Sequence, residues 1–151
     1  MSSKRPVVLY GANGFSGRLI AEFLREYNVP FIAAGRNRAK IEEAMNHVPG
    51  IETANYEIAE AGSSVDELVK LFTGVKVVCN TAGPFIYNGP RVIEAALNAG
   101  CHYIDIGGEQ AWLREVQENW GDKFAAKGLL AAPATAFMSA VSDAAAHLCL
   151  E

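Results

Sequence analysis

The sequence predicts a single α/β domain over residues 1–151, in which helices on both faces cover a doubly wound parallel sheet of about six strands. Short apolar, β-branched runs alternate with helical periodicity along the whole chain, and parallel neighbouring strands need such helical crossovers. A glycine-rich turn directly after the first run marks the first crossover. Half of the residues are hydrophobic and a fifth are charged, which suffices for a packed core at this length. The expected strand order is 3-2-1-4-5-6.

The first half of the chain shows the alternation clearly. Residues 7–10 and 31–34 are short apolar runs, each closed by a glycine, as is typical of buried strands. Between them, residues 15–27 carry apolar side chains at three- and four-residue spacing, which predicts an amphipathic helix. We expect a short helix over 38–45 and a third, loosely alternating strand over 51–58.

The second half continues the same pattern. Ser64 followed three residues later by Glu67 forms a capping-box pattern, which predicts the start of a helix over 64–72. A fourth strand is expected over 75–80, and a helix over 90–99 begins at a proline and stops before a glycine. The remaining predicted elements are a strand at 102–106, a helix at 109–127, a strand at 129–132 and a helix at 139–150.

The turn after the first strand has the pattern G-x-x-G-x-x-G and opens a helix. Glycines allow a tight turn and a close approach of the backbone to a pyrophosphate, and the helix N-terminus offers free N–H groups to the anion. Because a strand precedes the turn and a helix follows it, we interpret it as a dinucleotide-binding turn of the Rossmann type. The candidate cofactor-binding residues here are Gly11, Asn13, Gly14, Phe15, Ser16 and Gly17.

The end of the second strand indicates which dinucleotide is bound. An NAD site usually places a carboxylate there to hold the ribose 2′-OH, but this chain reads Arg36-Asn37-Arg38. A guanidinium can grip a 2′-phosphate through two parallel hydrogen bonds. Cations are also disfavoured at a helix N-terminus, so two arginines there call for a ligand. We therefore expect NADP(H) in preference to NAD(H), with Arg36, Asn37 and Arg38 at the site.

The loop after the fourth strand is the third candidate segment. In open α/β sheets, ligands lie beyond the carboxyl ends of the strands, close to the point where the strand order reverses. Residues Thr81, Ala82, Gly83 and Pro84 occupy that position and are expected to line the cofactor.

Composition argues against several other classes of function. A formal charge of −4 does not suit a nucleic-acid partner, which requires a basic face. Three cysteines without a C-x-x-C spacing favour reduced thiols over a disulfide scaffold or a metal site. The most apolar late segment, 128–141, is too short to span a bilayer. Residues 1–6 carry no apolar stretch of a signal peptide, so we expect a cytoplasmic protein without a membrane span.

Four segments together resemble the saccharopine dehydrogenase-like oxidoreductases, with the trans-acting enoyl reductases as the nearest branch. These segments are GANGFSGR at 11–18, AGRN at 34–37, GPF with Tyr87 and Gly89 at 83–89, and HYID with Gly108 and Glu109 at 102–109. The resemblance covers essentially the whole chain. One departure concerns the segment after the sixth strand, where relatives often have Gly-Phe-Asp and this chain has TAFM at 135–138.

The resemblance implies an NADP-binding Rossmann domain that is followed, in longer relatives, by a substrate and dimerisation domain. The chain is accordingly expected to be a fragment of an NADP-dependent oxidoreductase whose small-molecule substrate is held by the missing second domain. The fragment alone is then expected to be inactive. An apolar patch, exposed where that domain would pack, would favour self-association, for example as a homodimer. Its residues are Phe137, Met138, Val141 and Leu148.

Two alternatives stay open. A divergent short-chain dehydrogenase would need a Tyr-x-x-x-Lys pair, whereas Tyr87 is followed at that spacing by Arg91. A non-catalytic NADP-sensing module is equally compatible with the fold, because Rossmann domains serve many functions. No catalytic residue is assigned: Asp105 and Glu109, just beyond the fifth strand, suit helix capping as well as catalysis.

Overall fold

In the computed structural model, which describes residues 5–150, six strands form one parallel sheet in the order β3-β2-β1-β4-β5-β6. The predicted fold class and strand order are therefore confirmed. The strands are β1 Val7–Tyr10, β2 Phe31–Gly35, β3 Tyr56–Glu60, β4 Val77–Asn80, β5 His102–Asp105 and β6 Ala131–Ala132. The ends of the predicted domain, residues 1–4 and 151, lie outside the described residues.

Helices connect the strands in the expected alternation. They are α1 Phe15–Glu26, α2 Arg38–Asn46, α3 Val65–Phe72, α4 Phe85–Ala99, α5 Gln110–Asn119, α6 Gly121–Ala125 and α7 Phe137–Leu148, with a 3-10 turn at Ile51–Thr53. The capping box that predicts the start of α3 is present, since both of its hydrogen bonds form. The last strand is shorter than the sequence predicts, and the last helix begins two residues earlier.

The register of the central strands aligns their carboxyl ends. Tyr10 at the end of β1 is level with Ala34 of β2 on one side and with Asn80 of β4 on the other. The chain continues from β1 to β2 on one side of the sheet and from β4 to β5 on the other, so the helices that follow β1 and β4 cover opposite faces. The three strand ends therefore frame an opening at one edge, which is where ligands bind in doubly wound folds.

The core has two layers, one on each face of the sheet. Along β1, Val8 and Tyr10 point into the layer that α3, α4, α5 and α6 cover, whereas Leu9 points into the layer under α1 and α2. This alternation is the two-residue period of a strand buried on both faces. Cys79 of β4 lies in the second layer, and burial raises the pKa of its thiol to about 12. It is therefore a packed, unreactive side chain.

The third strand begins later than predicted. The sequence pattern predicts a strand over 51–58, but the chain forms a 3-10 turn at Ile51–Thr53 and a strand at Tyr56–Glu60. Gly50 adopts a left-handed φ of 70°, and the Thr53 hydroxyl donates to the Gly50 carbonyl at 2.8 Å. These local hydrogen bonds favour a turn over the extended conformation. The alternation of apolar and polar residues, on which the prediction rests, gives no sign of them.

Helix α4 begins five residues before the predicted start. The proline preference for the first position of a helix places the start of the helix at 90, whereas the helix begins at Phe85 and Pro90 lies in its second turn. The Phe85 N–H donates to the Glu109 carboxylate at 2.9 Å. This carboxylate caps the helix from a distant part of the chain, so a local sequence pattern cannot reveal it.

The helix predicted over 109–127 is divided in two. Trp120 separates Gln110–Asn119 from Gly121–Ala125, with a backbone φ of −121° that departs from helical geometry. Hydrogen bonds of helical spacing continue through the break, from the Trp120 N–H to the Val116 carbonyl and from the Phe124 N–H to the Trp120 carbonyl, each at 3.0 Å. Phe124 is almost fully buried in the core.

Asp105, at the end of β5, is a fully buried carboxylate that four donors satisfy. One oxygen accepts from the Tyr103 hydroxyl and from Trp112 Nε1, each at 2.7 Å. The other accepts from the N–H groups of Gly107 at 2.8 Å and Ala134 at 3.0 Å. Burial, together with this carboxylate, raises the pKa of Tyr103 well above its usual value. Asp105 thus joins β5, α5 and the loop after β6.

Asp105→Asn is expected to destabilise the fold by about 2–4 kcal/mol. In either orientation of the new side-chain amide, its NH2 group would face N–H groups that can only donate. Trp112 Nε1 and the N–H groups of Gly107 and Ala134 are donors only, so they cannot adapt. Urea denaturation followed by circular dichroism measures the loss. Asp143→Asn, at an exposed position of α7, is the matched control, and a similar stability for both variants would contradict this account.

Candidate functional site

A cleft of about 260 Å³ opens at the carboxyl edge of the sheet, between the ends of β1, β2 and β4. All three predicted segments contribute to it, although not every predicted residue does. The cleft is lined by Tyr10, Gly11, Asn13, Gly14, Gly35, Arg36, Ser63, Leu68, Thr81, Ala82, Gly83, Asn88, Arg91 and Val92. The predicted residues Phe15, Ser16, Gly17, Asn37, Arg38 and Pro84 are not among these lining residues.

Gly11 lets the turn pack directly against the loop that follows β4. Its φ of +89° is disfavoured for other residues, and a Cβ there would lie 2.8 Å from Thr81 Oγ1 and 2.9 Å from Ala82 N. Its N–H donates to the Ala34 carbonyl at 2.8 Å. The turn is therefore fixed to both neighbouring strand ends.

Gly17 and Gly14 have different structural roles. A Cβ at Gly17 would lie 2.6 Å from the Gly11 carbonyl oxygen and 2.8 Å from Ala12 Cα, so only glycine fits there. At Gly14 the nearest atom to a Cβ would be the Gly11 oxygen, at 3.3 Å, and the backbone is extended. Gly17 allows the helix to approach the turn, whereas the bare Cα of Gly14 faces the cleft.

The N-terminus of α1 is suited to an anion. No side chain caps it, and its first turn contains no acidic residue. The first N–H groups of any helix lack partners within that helix, and they carry its partial positive charge. Phe15 and Ser16 supply such N–H groups, while Phe15 is 71% exposed and its side chain does not line the cleft. Only the backbone of Phe15 can therefore serve a ligand in the cleft.

The predicted arginines separate in the structure. Arg36 lines the cleft, is exposed, and makes no hydrogen bond or ion pair with any of residues 5–150. Arg38 lies outside the cleft, because its guanidinium donates to the Ile58 carbonyl at 2.9 Å and pairs with Glu42 at 3.4 Å. The Asn37 side chain is likewise occupied, since it caps α2 by accepting from the Lys40 N–H at 3.0 Å.

The loop after β4 is held in place by its own polar groups. The Thr81 hydroxyl donates to the Tyr10 carbonyl at 2.9 Å, and the Asn80 side chain accepts from the Ala82 N–H at 3.0 Å. Asn80 is fully buried and donates to the Tyr103 hydroxyl at 3.1 Å. The hydrogen bonds of Asp105 therefore extend through Tyr103 to the wall of the cleft.

Helix α4 supplies cleft residues that the sequence analysis did not assign to the site. Asn88, Arg91 and Val92 stand at positions i, i+3 and i+4, so they share one face of the helix. Placing the start of the helix at 90 obscures this spacing, because it leaves Asn88 in a loop. The spacing is the signal that could have identified them. Tyr10, Gly35, Ser63 and Leu68 are the other lining residues that were not predicted.

The cleft is positively charged although the chain is acidic overall. Arg36 and Arg91 line it and no aspartate or glutamate does, whereas the whole chain carries a formal charge of −4. Burial raises the pKa of Tyr10, and the positive charges of Arg36 and Arg91 oppose that rise. Both guanidinium groups thus act on one hydroxyl in the cleft, and together they favour an anionic ligand.

The donors of the cleft fit a phosphorylated dinucleotide. They are backbone N–H groups, guanidinium groups and short polar side chains, which are the groups that hold phosphates. Within residues 5–150, no group of three or more His, Cys, Asp or Glu side chains could hold a metal ion. None of the helices in that range has the length and apolar character needed to cross a membrane.

Several known proteins are similar to this chain in sequence. A lipid droplet localized protein from Caenorhabditis elegans is 29% identical, over 93% of this chain and 35% of its own length. A protein from Arabidopsis thaliana that is named a probable mitochondrial saccharopine dehydrogenase-like oxidoreductase is 30% identical, over 88% of this chain and 32% of its own length. A trans-acting enoyl reductase from Mycobacterium ulcerans is 28% identical, over 93% and 34%. The chain thus spans about a third of the length of these relatives.

These relatives correct one expectation. The absence of an apolar leader at residues 1–6 and the reduced cysteines led us to expect a cytoplasmic protein. The names of two relatives instead refer to lipid droplets and to mitochondria. The expectation of a cytoplasmic location is therefore wrong. Cysteine chemistry reports the redox state of a compartment, which does not distinguish the cytosol from these other locations.

The fold and the family agree with the geometry of the cleft. Apo saccharopine dehydrogenase from Saccharomyces cerevisiae superposes with a TM-score of 0.69 at 15% identity, over 87% of this chain and 27% of that one, which shows the fold. The family described as saccharopine dehydrogenase NADP binding domain matches residues 7–131, a range that contains every lining residue of the cleft. This match confirms the expected cofactor, NADP(H), and the relationship to oxidoreductases. The chain belongs to the saccharopine dehydrogenase NADP-binding domain family.

Proposed function

We propose that this chain binds NADP(H) in the cleft between the ends of β1, β2 and β4, and that it is the cofactor domain of an NADP-dependent oxidoreductase. One observation carries the proposal. An uncapped helix N-terminus and two guanidinium groups meet in a cleft whose lining contains no carboxylate. A ligand with several phosphate charges suits such a surface. The uncharged ribose 2′-OH of NAD(H) does not require two guanidinium groups.

Each part of the cleft would hold one part of the cofactor. The N–H groups at the start of α1, beside Gly14, would receive the diphosphate. Arg36 would receive the 2′-phosphate, since its guanidinium has no other partner among residues 5–150. Arg38 contributes indirectly, because its bonds to β3 hold the start of α2 in place.

The chemistry of such an enzyme is hydride transfer, which NADP(H) supplies when it is bound. The residues of this chain bind and orient the cofactor, and Thr81, Ala82 and Gly83 form the wall towards the reacting end. A small-molecule substrate would be held by the part of the parent protein that this chain does not include. The chain spans about a third of its relatives' length, which supports a longer, two-domain parent.

Gly14→Val is expected to weaken NADPH binding at least tenfold, about 1.4 kcal/mol, because the side chain would occupy the approach of the diphosphate. The fold should persist, because a Cβ there would crowd one atom, the Gly11 carbonyl oxygen at 3.3 Å, and a shift of a few tenths of an ångström relieves that contact. Calorimetric titration measures the affinity and thermal unfolding checks the fold. Gly121→Val is the matched control, with 4.0 Å to the nearest atom. Unchanged affinity in Gly14→Val would exclude this turn as the binding site.

Arg36→Ala is expected to cost NADPH binding about 1.5–3 kcal/mol, because charge-assisted hydrogen bonds to the 2′-phosphate are lost. NADH binding should change little, so the preference for NADPH should disappear. Arg114→Ala, at an exposed position of α5 outside the cleft, is the control. Titration of both dinucleotides against each variant tests this. Equal affinity for NADPH and NADH in the unmutated chain would refute the assignment.

The chain alone is expected to show no substrate-dependent oxidation of NADPH. Closing a cofactor cleft over a substrate needs elements that expel water and orient the reacting carbon. Turnover is measured for the chain and for its full-length parent on a panel of imine, enoyl and carbonyl compounds. Turnover by the chain alone would show a complete active site here. A parent that binds NADPH but reduces none of the panel would instead favour a sensing module.

The end of the chain is expected to promote self-association. Phe137 and Met138 are 80% and 83% exposed, and α7 contains no buried residue. With Val141 and Leu148, they present apolar surface to solvent, which favours contact between copies. Analytical ultracentrifugation over a range of concentrations measures the mass. A doubly substituted variant, Phe137→Ser with Met138→Ser, should be monomeric, and an unmutated chain that is monomeric throughout would contradict the expectation.

A further inference from the structure

We propose that Arg91 of α4 contacts the adenine ring of the bound cofactor, so that it strengthens NADP(H) and NAD(H) binding alike, whereas Arg36 acts on the 2′-phosphate. The inference rests on the proposed function and divides the cleft's two guanidinium groups between two tasks. Nothing in the glycine turn or in the end of β2 supplies this contact. It depends on the face that α4 presents to the cleft.

The position of the Arg91 guanidinium is defined by a short chain of hydrogen bonds. Arg91 Nη2 donates to Asn88 Oδ1 at 3.2 Å, and Asn88 Nδ2 donates to the Gly83 carbonyl at 3.1 Å. The guanidinium is thereby tied to the loop that follows β4. Two hydrogen bonds of ordinary length restrict the rotation of an otherwise exposed side chain. Arg91 therefore forms a wall of the cleft on the side of α4.

Beside this wall, the side chains that lie directly behind the surface of the cleft are apolar. Leu68 of α3, Val92 of α4 and Tyr10 line the cleft there, and they are fully or almost fully buried. This apolar part of the cleft borders the Arg91 guanidinium. A guanidinium is planar and stacks on aromatic faces, whereas the ammonium group of a lysine has no planar face. A flat, uncharged heteroaromatic ring satisfies both surfaces. Adenine is the part of the cofactor with that character.

The opposite side of the cleft is polar and suits a phosphate. Arg36 and Asn13 lie there, and the side-chain oxygen Oδ1 of Asn13 would be 3.3 Å from a Cβ at Gly35, which places it at the end of β2. Arg36, which follows β2, and Arg91 of α4 both line the cleft together with Tyr10. A ribose that carries adenine and a 2′-phosphate can present one group to each.

The test is titration of NADPH and NADH against Arg91→Ala and Arg91→Lys. Arg91→Ala is expected to weaken both dinucleotides by the same factor, about tenfold, which corresponds to about 1.4 kcal/mol. Arg91→Lys should resemble Arg91→Ala, because lysine keeps the charge and loses the planar face. Arg114→Ala, an exposed arginine of α5 outside the cleft, should bind both as the unmutated chain does. Thermal unfolding of each variant confirms that the fold persists.

Three results would overturn the assignment of Arg91. A loss confined to NADPH in Arg91→Ala would make Arg91 a second ligand of the 2′-phosphate. Full affinity in Arg91→Lys would show that charge suffices and stacking does not matter. No change for either dinucleotide in Arg91→Ala would remove it from the site. Failure of the unmutated chain to bind either dinucleotide would instead overturn the proposed function itself.

Discussion

The close approach of helix α1 to the ends of β1 and β4 is the constraint on which the cleft depends. The Gly11 carbonyl oxygen lies 2.6 Å from the point where a Cβ of residue 17 would stand, and Thr81 Oγ1 lies 2.8 Å from a Cβ of residue 11. Side chains at these positions would separate the helix from the sheet. With glycine at both, the uncapped N-terminus of α1 lies beside the loop after β4. The anion-binding N–H groups and the cleft wall are thus positioned by backbone contacts.

A buried carboxylate organises the neighbouring part of the same edge. Asp105 accepts four hydrogen bonds, and through Tyr103 it is linked to Asn80 at the end of β4. All of its acceptor capacity is directed at donors within the fold, which makes it a positioning residue for the loops around the cleft. The Glu109 carboxylate has a similar task, since it accepts from the first N–H of α4. Both residues therefore have a structural role at this edge of the sheet.

The sequence predicts what depends on local pattern. The strand order, the glycine turn and the capping box of α3 follow from periodicity and from short-range chemistry. The structure departs from prediction at Trp120, where the predicted long helix breaks, and wherever distant residues decide, as Glu109 does when it caps α4 five residues before Pro90. The same reason separates the arginines. Arg38 stands beside Arg36 in sequence but is bound to β3, whereas Arg91 reaches the cleft from a helix face that the misplaced start concealed.

The most direct measurement is an NMR titration of the ¹⁵N-labelled chain with NADP⁺, which locates the cofactor residue by residue. The largest changes in amide chemical shift should occur at Gly14, Phe15 and Ser16, with further changes at Gly35, Arg36 and Gly83. The amide signals of α7, which supplies no residue to the cleft, should not shift. Changes confined to α5, α6 or α7, or no change at saturating NADP⁺, would contradict a cofactor site built on the glycine turn.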